Sequence, residues 1–176
     1  MLSDGRVYLR KLERTDLDRT WEWMQRPEIF LRIGVHIPIS KSQQHVWFES
    51  VDRAADKIVF AVCLHDGDAH VGNVSLDTID PRHRNARLSI FIADQTDRGK
   101  GLGGSAMRLL ARYAFDFLNL EKIWCKTDSD DEKVTRFYEK LGFVREGLLR
   151  RHEFIDGQYR DKALLALFRD SIKGSP

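Results

Sequence analysis

The sequence has few of the residues and runs that mark disulfide-rich, metal-binding or membrane-spanning proteins. It contains two cysteines, Cys63 and Cys125, each in an apolar strand-like run without a Cys or His partner at metal-ligand spacing. We therefore expect buried free thiols and no metal site. No run of about 18 uncharged apolar residues occurs, and the first residues lack the apolar core of a signal peptide. These absences predict a cytoplasmic protein without a membrane partner.

An excess of charge of one sign is also lacking. The 29 Lys and Arg residues nearly balance 27 Asp and Glu residues, which leaves a formal net charge of +2. Because no global basic field results, we expect no nucleic-acid partner. Internal repeats and linkers are absent, and 176 residues with 42% hydrophobic content suffice for one core. The chain is therefore predicted to form a single domain over residues 1–172, with a tail at 173–176.

The apolar periodicity changes along the chain between strand-like and helix-like segments. Thr15-Asp16 predicts caps for the first helix and Pro27 its end, and Ser40 with Gln43 predicts a capping box for a second helix with Val46 on its apolar face. The predicted helix from Gly99 has Phe117 on its apolar stripe, Asn119 predicts a left-handed stop, and Asp156-Gly157 predicts a hairpin turn. The order β-α-α-β-β-β-α-β-α-β-β predicts an α+β fold with a mixed, mostly antiparallel sheet flanked by helices. The predicted strands include 7–12, 58–64, 71–76, 88–93 and 123–126, and the predicted helices centre on 17–24, 40–51, 99–118 and 134–141.

The motif that says most about function is the run Asp-Arg-Gly-Lys-Gly-Leu-Gly-Gly at residues 97–104. It follows a predicted strand and opens a predicted helix. Glycines let backbone N–H groups approach an anion closely, and the start of a helix adds the positive end of its dipole. The run therefore predicts a loop that binds phosphate groups.

Two common phosphate-binding motifs fit this run poorly. A P-loop requires Ser or Thr after Gly-Lys, whereas Gly101 follows Gly99-Lys100. A dinucleotide-binding fingerprint fits Gly99-x-Gly101-x-x-Gly104 in form. That motif normally follows the first strand of its fold, however, and here it lies in the middle of the chain, with Glu121 before rather than after its strand.

A third interpretation agrees with more of the chain. Arg98-x-x-Gly101-x-Gly103 resembles the diphosphate-binding signature of the GNAT acetyltransferases, and Tyr-Glu-Lys-Leu-Gly-Phe at residues 138–143 resembles their second motif. The resemblance implies the GNAT acyl-CoA N-acyltransferase fold and an N-acetyltransferase that uses acetyl-CoA. Because Arg87 and Asp131 depart from the family pattern, a non-catalytic acetyl-CoA sensor stays an alternative.

The resemblance also implies functional residues. Tyr138 is the expected general acid for the leaving thiolate, although it could merely complete an apolar helix face. Arg87 stands where many relatives have a glutamate base, which leaves Asp77 and His36 as candidate bases, with a water relay or direct proton loss to solvent as alternatives. Asp131 stands where the family usually has an asparagine that binds the cofactor, and it could instead be a helix cap. The implied coenzyme A site comprises Phe91, Ile92, Ala93, Arg98, Gly99, Lys100, Gly101, Leu102, Gly103, Gly104 and Asp131.

For the acceptor, two narrower resemblances disagree. Residues 59–168 resemble bacterial spermidine acetyltransferases, whereas residues 38–40 and 47–51 are similar to acetyltransferases of nucleotide-linked 4-amino sugars. The second resemblance favours an amino sugar, with a polyamine or a protein N-terminus, as in ribosomal-protein members, as alternatives. The basic residues at 82–84 would suit a nucleotide diphosphate or the 3′-phosphate of the cofactor. Many relatives are dimers or larger, so a homo-oligomer is possible. The candidate acceptor-side residues are Val35, His36, Trp47 and Asp77.

Overall fold

The structure, a computed structural model, describes residues 2–35, 37–97 and 99–173. The chain divides into two compact units, one of Met1–Thr78 with Ser89–Leu110 and the other of Ile79–Leu88 with Ala111–Pro176. The single domain expected over residues 1–172 stays a prediction. Across the described residues, no helix is long and apolar enough to cross a membrane.

The first unit combines antiparallel strands with helices. Its strands follow the order β1-β2-β3-β4-β5, and β1–β2, β2–β3 and β3–β4 pair antiparallel. The end of β4 and the start of β5 belong to the second unit. The elements are β1 (Leu2–Ser3), β2 (Val7–Lys11), α1 (Leu17–Trp23), α2 (Pro27–Phe30), α3 (Lys41–Arg53), β3 (Ile58–Leu64), β4 (His70–Asp80), β5 (Asn85–Ile92) and α4 (Leu102–Arg112).

Local signals explain where the helices of this unit begin. The capping box is confirmed, because the Gln43 N–H donates to Ser40 Oγ at 3.2 Å and the Ser40 N–H donates to Gln43 Oε1 at 2.8 Å. The prediction for Pro27 was wrong. The first helix ends earlier, and Pro27 begins α2, where its fixed φ suits a first helical position and its missing N–H costs nothing.

Two apolar clusters contribute to the core of the first unit. The first cluster packs α1 and α3 on the strands, and its buried members are Tyr8, Leu12, Leu17, Phe48, Val51, Val59, Ala61 and Cys63. The second cluster contains Trp23, Met24, Ile29, Phe30 and Ala93, with Leu31, Ile33, Val35, Ile39 and Phe91 packed against it. Val46, predicted on the apolar face of its helix, is 69% exposed, because Gln44, Phe48 and Val51 make up the buried face at i, i+4 and i+7.

The second unit has the strand order β5-β6-β8-β7. β6 (Lys122–Asp128) pairs in parallel with β5 over three residues, and antiparallel with β8 (Gln158–Phe168) along its whole length. β7 (Val144–Ile155) and β8 form the predicted hairpin, whose turn residues Asp156 and Gly157 have φ of +50° and +77°. The helices are α5 (Glu132–Glu139) and α6 (Arg169–Lys173). The predicted mixed, mostly antiparallel α+β class is confirmed.

The predicted long helix over residues 99–118 is interrupted. α4 ends at Arg112, and a π-helical turn, Tyr113–Phe117, follows it. A π-turn holds more residues than an α-turn, so the apolar stripe moves out of phase. Phe117, predicted on that stripe, is therefore 68% exposed. Asn119 has a φ of +55°, as expected for a left-handed stop.

Candidate functional site

The Gly-rich loop lies in the first unit between β5 and α4. Gly99 and Gly101 have φ of +81° and +83°, a left-handed conformation that favours glycine. The Ser105 N–H donates to Gly101 O at 3.0 Å, which marks the start of helical hydrogen bonding. Because the first N–H groups of a helix have no partner within it, they are available to an anion. The loop therefore fits the diphosphate group that the sequence implied. Leu102 is buried, and Gly103 and Gly104 lie in the first turn of α4.

Charged side chains surround this loop. Lys100 Nζ lies 3.0 Å from Asp97 Oδ1, so its charge is partly compensated within the loop. Arg6 Nη1 donates to the carbonyl oxygen of Lys100 at 3.3 Å, and it lies 2.5 Å from the position that a Cβ on Gly101 would take. Sequence reasoning missed Arg6, which is distant in the chain and belongs to no motif. Arg98 lies outside the described residues.

Upstream of the loop, the end of β5 contacts β4 closely. Phe91 is half-buried, whereas Ile92 and Ala93 are buried, and the Ala93 N–H donates to Val71 O at 2.9 Å. A Cβ on Gly72 would lie 2.2 Å from the carbonyl oxygen of Phe91. Glycine inside a strand often marks such an approach of another backbone, so Gly72 was detectable in the sequence and was missed.

Replacing Gly72 with Ala should displace the Phe91 carbonyl. The added methyl group cannot share space with a backbone oxygen, so we expect a loss of about 1–3 kcal/mol in the free energy of unfolding, as in overpacked cores. Because β5 moves, KM for acetyl-CoA should also rise. Urea unfolding and steady-state kinetics measure both effects. Gly147→Ala is the matched control, since Gly147 also lies in a strand, has no left-handed φ, and a Cβ there has no atom within 4 Å. Equal behaviour of the two variants would contradict the argument.

Tyr138 is buried in the second unit. It lies on α5 with 7% of its surface exposed, and its ring packs edge-on against Phe137 and Phe143 at centroid distances of 5.4 and 5.1 Å. Burial, together with a hydrogen bond to the Cys125 thiol of β6, raises the pKa of Tyr138 well above its usual 10. Burial also raises the pKa of Cys125, to about 12. Both groups therefore stay protonated at neutral pH, and the role of Tyr138 as the general acid stays a prediction.

Asp131 caps the helix that carries Tyr138. Its Oδ1 accepts a hydrogen bond from the Val134 N–H at 3.0 Å, and it is the N-cap residue of α5. The helix-cap alternative from the sequence is thus confirmed. Binding of the cofactor by this carboxylate stays a prediction.

The candidate acceptor-side residues fall into two groups within the first unit. Val35 packs against the second cluster, as does Phe91, whereas Trp47 packs against the first cluster. Lys57 connects Trp47 with Asp77, because its Nζ lies 5.8 Å from the Trp47 ring centroid and 2.8 Å from Asp77 Oδ1. The structure therefore associates Trp47 with Asp77, but it places Val35 in a different cluster. His36 lies outside the described residues.

Asp77 and the basic residues at 82–84 are held by local partners. The Asp77 side chain is 8% exposed, and besides its ion pair with Lys57 it accepts a hydrogen bond from Ser75 Oγ at 3.1 Å. A role for Asp77 as the base stays a prediction. In the second unit, Arg84 donates to Asn119 O at 2.8 Å and pairs with Glu121 at 3.2 Å, so this guanidinium serves the local fold.

Among residues 2–35, 37–97 and 99–173, no group of three or more His, Cys, Asp or Glu side chains is placed to hold a metal ion.

Comparisons with known proteins agree with the sequence motifs. The profile of the acetyltransferase (GNAT) domain matches residues 6–144. The spermidine N(1)-acetyltransferase of Escherichia coli K12 is 34% identical over 96% of this chain and 89% of its own length. A crystal structure of spermidine N-acetyltransferase from Vibrio cholerae with CoA and spermine superposes with a TM-score of 0.91 at 26% identity, covering 97% of this chain and 100% of that one. A dodecameric structure of the Vibrio cholerae enzyme has a TM-score of 0.83 at 26% identity, with coverages of 97% and 98%.

The matched domain spans most of the chain, and it contains both the Gly-rich loop and Tyr138. The fold class, the enzyme class and the acyl donor expected from the sequence are thereby confirmed. The chain belongs to the GNAT acetyltransferase family and is an N-acetyltransferase that uses acetyl-CoA.

Proposed function

We propose that this enzyme acts in the cytoplasm and transfers the acetyl group of acetyl-CoA directly to a primary amine of a polyamine such as spermidine. The observation that carries the proposal is the similarity to a spermidine acetyltransferase along 96% of the chain. The amino-sugar acceptor rested on two short segments, residues 38–40 and 47–51. It is therefore less well supported than its polyamine alternative.

In this proposal the first unit binds the acyl donor. The N–H groups of residues 99–104 hold the diphosphate, and Lys100 and Arg98 contribute positive charge. The backbone of Phe91, Ile92 and Ala93 lies along the pantetheine arm. The left-handed conformations of Gly99 and Gly101, directly before the start of α4, support this assignment.

Acetyl-CoA supplies an activated acetyl group, so the reaction needs two proton transfers, one to the leaving sulfur and one from the attacking amine. Tyr138 donates its hydroxyl proton to the sulfur as the C–S bond breaks and the new C–N bond forms. The attacking amine must be neutral. Asp77 is engaged by Lys57 at 2.8 Å and Arg87 is a guanidinium, so the proposed route is release of the amine proton to water, with His36 as the alternative base.

The second cluster suits the aliphatic part of a polyamine. Val35, Ile39 and Phe91 give it half-buried apolar side chains. Apolar surroundings disfavour an ammonium ion and lower the pKa of an amine, which promotes the neutral nucleophile. Residues 27–40 contain one acidic residue, Glu28, so the remaining ammonium groups need acidic partners from elsewhere.

Release of free thiol from acetyl-CoA tests the proposal. The acceptors are spermidine, a UDP-linked 4-amino sugar and a peptide with a free N-terminus, with a reaction lacking acceptor as the control. We expect the highest kcat/KM for spermidine. A higher value for the sugar or the peptide would overturn the polyamine assignment, and binding of CoA without turnover of any amine would favour the sensor.

We also infer that the chain forms a homo-oligomer through the hairpin of β7 and β8. β7 ends the strand order of the second unit, and an edge strand offers unpaired backbone groups. Phe154 and Tyr159 on this hairpin are 58% and 65% exposed, and large exposed apolar residues are typical of interfaces. Sedimentation of the wild type and of Phe154→Ser measures this, and a monomeric wild type would refute it.

A further inference from the structure

We propose that Arg6 is a positioning residue for acetyl-CoA, which orients the Lys100–Gly101 peptide so that the Gly101 N–H faces the diphosphate. This inference rests on the proposed role of the Gly-rich loop, and it adds a residue from the opposite end of the first unit's sequence. Neither the family motifs nor the local sequence around Arg6 indicates such a role.

The turn between β1 and β2 holds Arg6 in place. Asp4 Oδ1 accepts hydrogen bonds from the N–H groups of Arg6 at 2.8 Å and of Val7 at 3.0 Å, and the Asp4 N–H donates to Val7 O at 3.0 Å. The Asp4 carboxylate is also hydrogen-bonded to the Ser105 side chain on α4. The turn is thus attached to the helix that begins at the loop, and this attachment brings the Arg6 guanidinium to the Lys100 carbonyl.

Because the peptide bond is planar, the contact of Arg6 with the Lys100 carbonyl also fixes the direction of the Gly101 N–H. In a planar trans peptide, the C=O and N–H groups point in opposite directions. Arg6 donates to the carbonyl of Lys100, so the N–H of Gly101 points away from Arg6 and is available to a ligand on the other side of the loop. The guanidinium also lies 2.5 Å from where a Cβ of Gly101 would be, so a larger residue at position 101 would displace Arg6 from this contact.

This contact matters because the loop is otherwise easily reoriented. Gly99 and Gly101 flank Lys100, and glycine has access to many backbone conformations, so the peptide between residues 100 and 101 can rotate at low cost. A side chain that fixes the bound orientation reduces the entropy lost on binding. Arg6 is exposed and its bond to Lys100 is 3.3 Å long, so its removal should change cofactor binding more than folding.

Arg6→Ala and Arg6→Lys test the proposal, with Arg53→Ala as the control, because Arg53 is 82% exposed on α3. We measure the Kd for CoA by calorimetry, and KM and kcat for acetyl-CoA and for S-acetylpantetheine, which lacks the diphosphate. Arg6→Ala should raise Kd and the KM for acetyl-CoA by about tenfold at unchanged kcat, which is the signature of lost uniform binding. Arg6→Lys should recover most of the affinity, and the KM for S-acetylpantetheine should stay unchanged.

Two results for Arg6→Ala would overturn the role of Arg6. One is an unchanged Kd for CoA, and the other is a rise in the KM for S-acetylpantetheine equal to the rise for acetyl-CoA. A third variant, Gly99→Val, distinguishes a wrong role for Arg6 from a wrong assignment of the Gly-rich loop as the diphosphate site. Gly99 has a left-handed φ of +81°, which disfavours valine, so this variant distorts the loop itself. If Gly99→Val weakens CoA binding and Arg6→Ala does not, Arg6 alone is excluded. If neither variant weakens it, the loop and Arg6 are both excluded.

Discussion

Replacement of Tyr138 with Phe should lower kcat by a factor of about 10²–10⁴, the usual contribution of a positioned proton donor. The phenol is the proposed donor to the leaving thiolate, and its removal forces that group to depart as an anion. Phe retains the ring that packs between Phe137 and Phe143, so the variant should remain folded. Single-turnover and steady-state rates with saturating acetyl-CoA measure the loss.

The pH profile adds a second readout for Tyr138. Because its pKa is raised, Tyr138 stays protonated to above pH 10. At pH values below 10, ionisation of Tyr138 should therefore not reduce the kcat of the wild type. Tyr159→Phe is the control, because Tyr159 lies on the exposed hairpin, and its kcat should match the wild type. An undiminished kcat in Tyr138→Phe would exclude the proposed acid and assign Tyr138 a packing role.

Asp16→Asn should cost about 1.5–3 kcal/mol in the free energy of unfolding, because it removes a buried carboxylate and its charged hydrogen bonds from Arg10, whose side chain is 33% exposed. Arg10 binds Asp16 with both nitrogens, at 2.6 and 2.7 Å, and the Asp16 side chain is only 8% exposed. The Glu13 N–H donates to the same carboxylate at 2.8 Å, and His70 Nδ1 lies 3.3 Å from it. An amide cannot accept both Arg10 bonds, so urea unfolding should show the loss.

The same carboxylate makes stability depend on pH. Burial raises the pKa of Asp16, but the hydrogen bonds from Arg10 and Glu13 and the nearby charges outweigh this effect and hold the pKa below its usual 3.8. A lowered folded-state pKa stabilises the protein above the unfolded value, and this contribution disappears as pH falls through the folded-state pKa. The difference between wild type and Asp16→Asn should therefore be constant from pH 5 to 7 and shrink below about pH 4.

Asp18→Asn is the matched control for Asp16. Asp18 pairs with Lys41 at 2.8 Å, but its side chain is 79% exposed, and exposed pairs contribute little to stability. We expect its unfolding curve to overlay the wild type. If both substitutions lower the free energy of unfolding equally, burial of the Asp16 carboxylate is not the cause of the loss.

Features that depend on neighbouring residues were predictable from the sequence. The Ser40–Gln43 capping box, the Asp156-Gly157 turn and the glycine loop all follow from local chemistry, and the first two appear as predicted. Errors arose where packing competes with local preference. The pair Thr15-Asp16 was expected to cap α1, but the Asp16 carboxylate makes no cap hydrogen bond there and binds Arg10 instead.

The sequence by itself determined the class of this protein and its acyl donor, because glycines at fixed spacing and a short helix motif act through residues close in the chain. Only the tertiary structure revealed three other relations: Arg6 at the Lys100 carbonyl, Gly72 against Phe91, and Lys57 between Trp47 and Asp77. Each joins residues that the chain separates and folding brings together. Their contacts depend on strand register and on the direction of side chains, which periodicity and spacing do not specify.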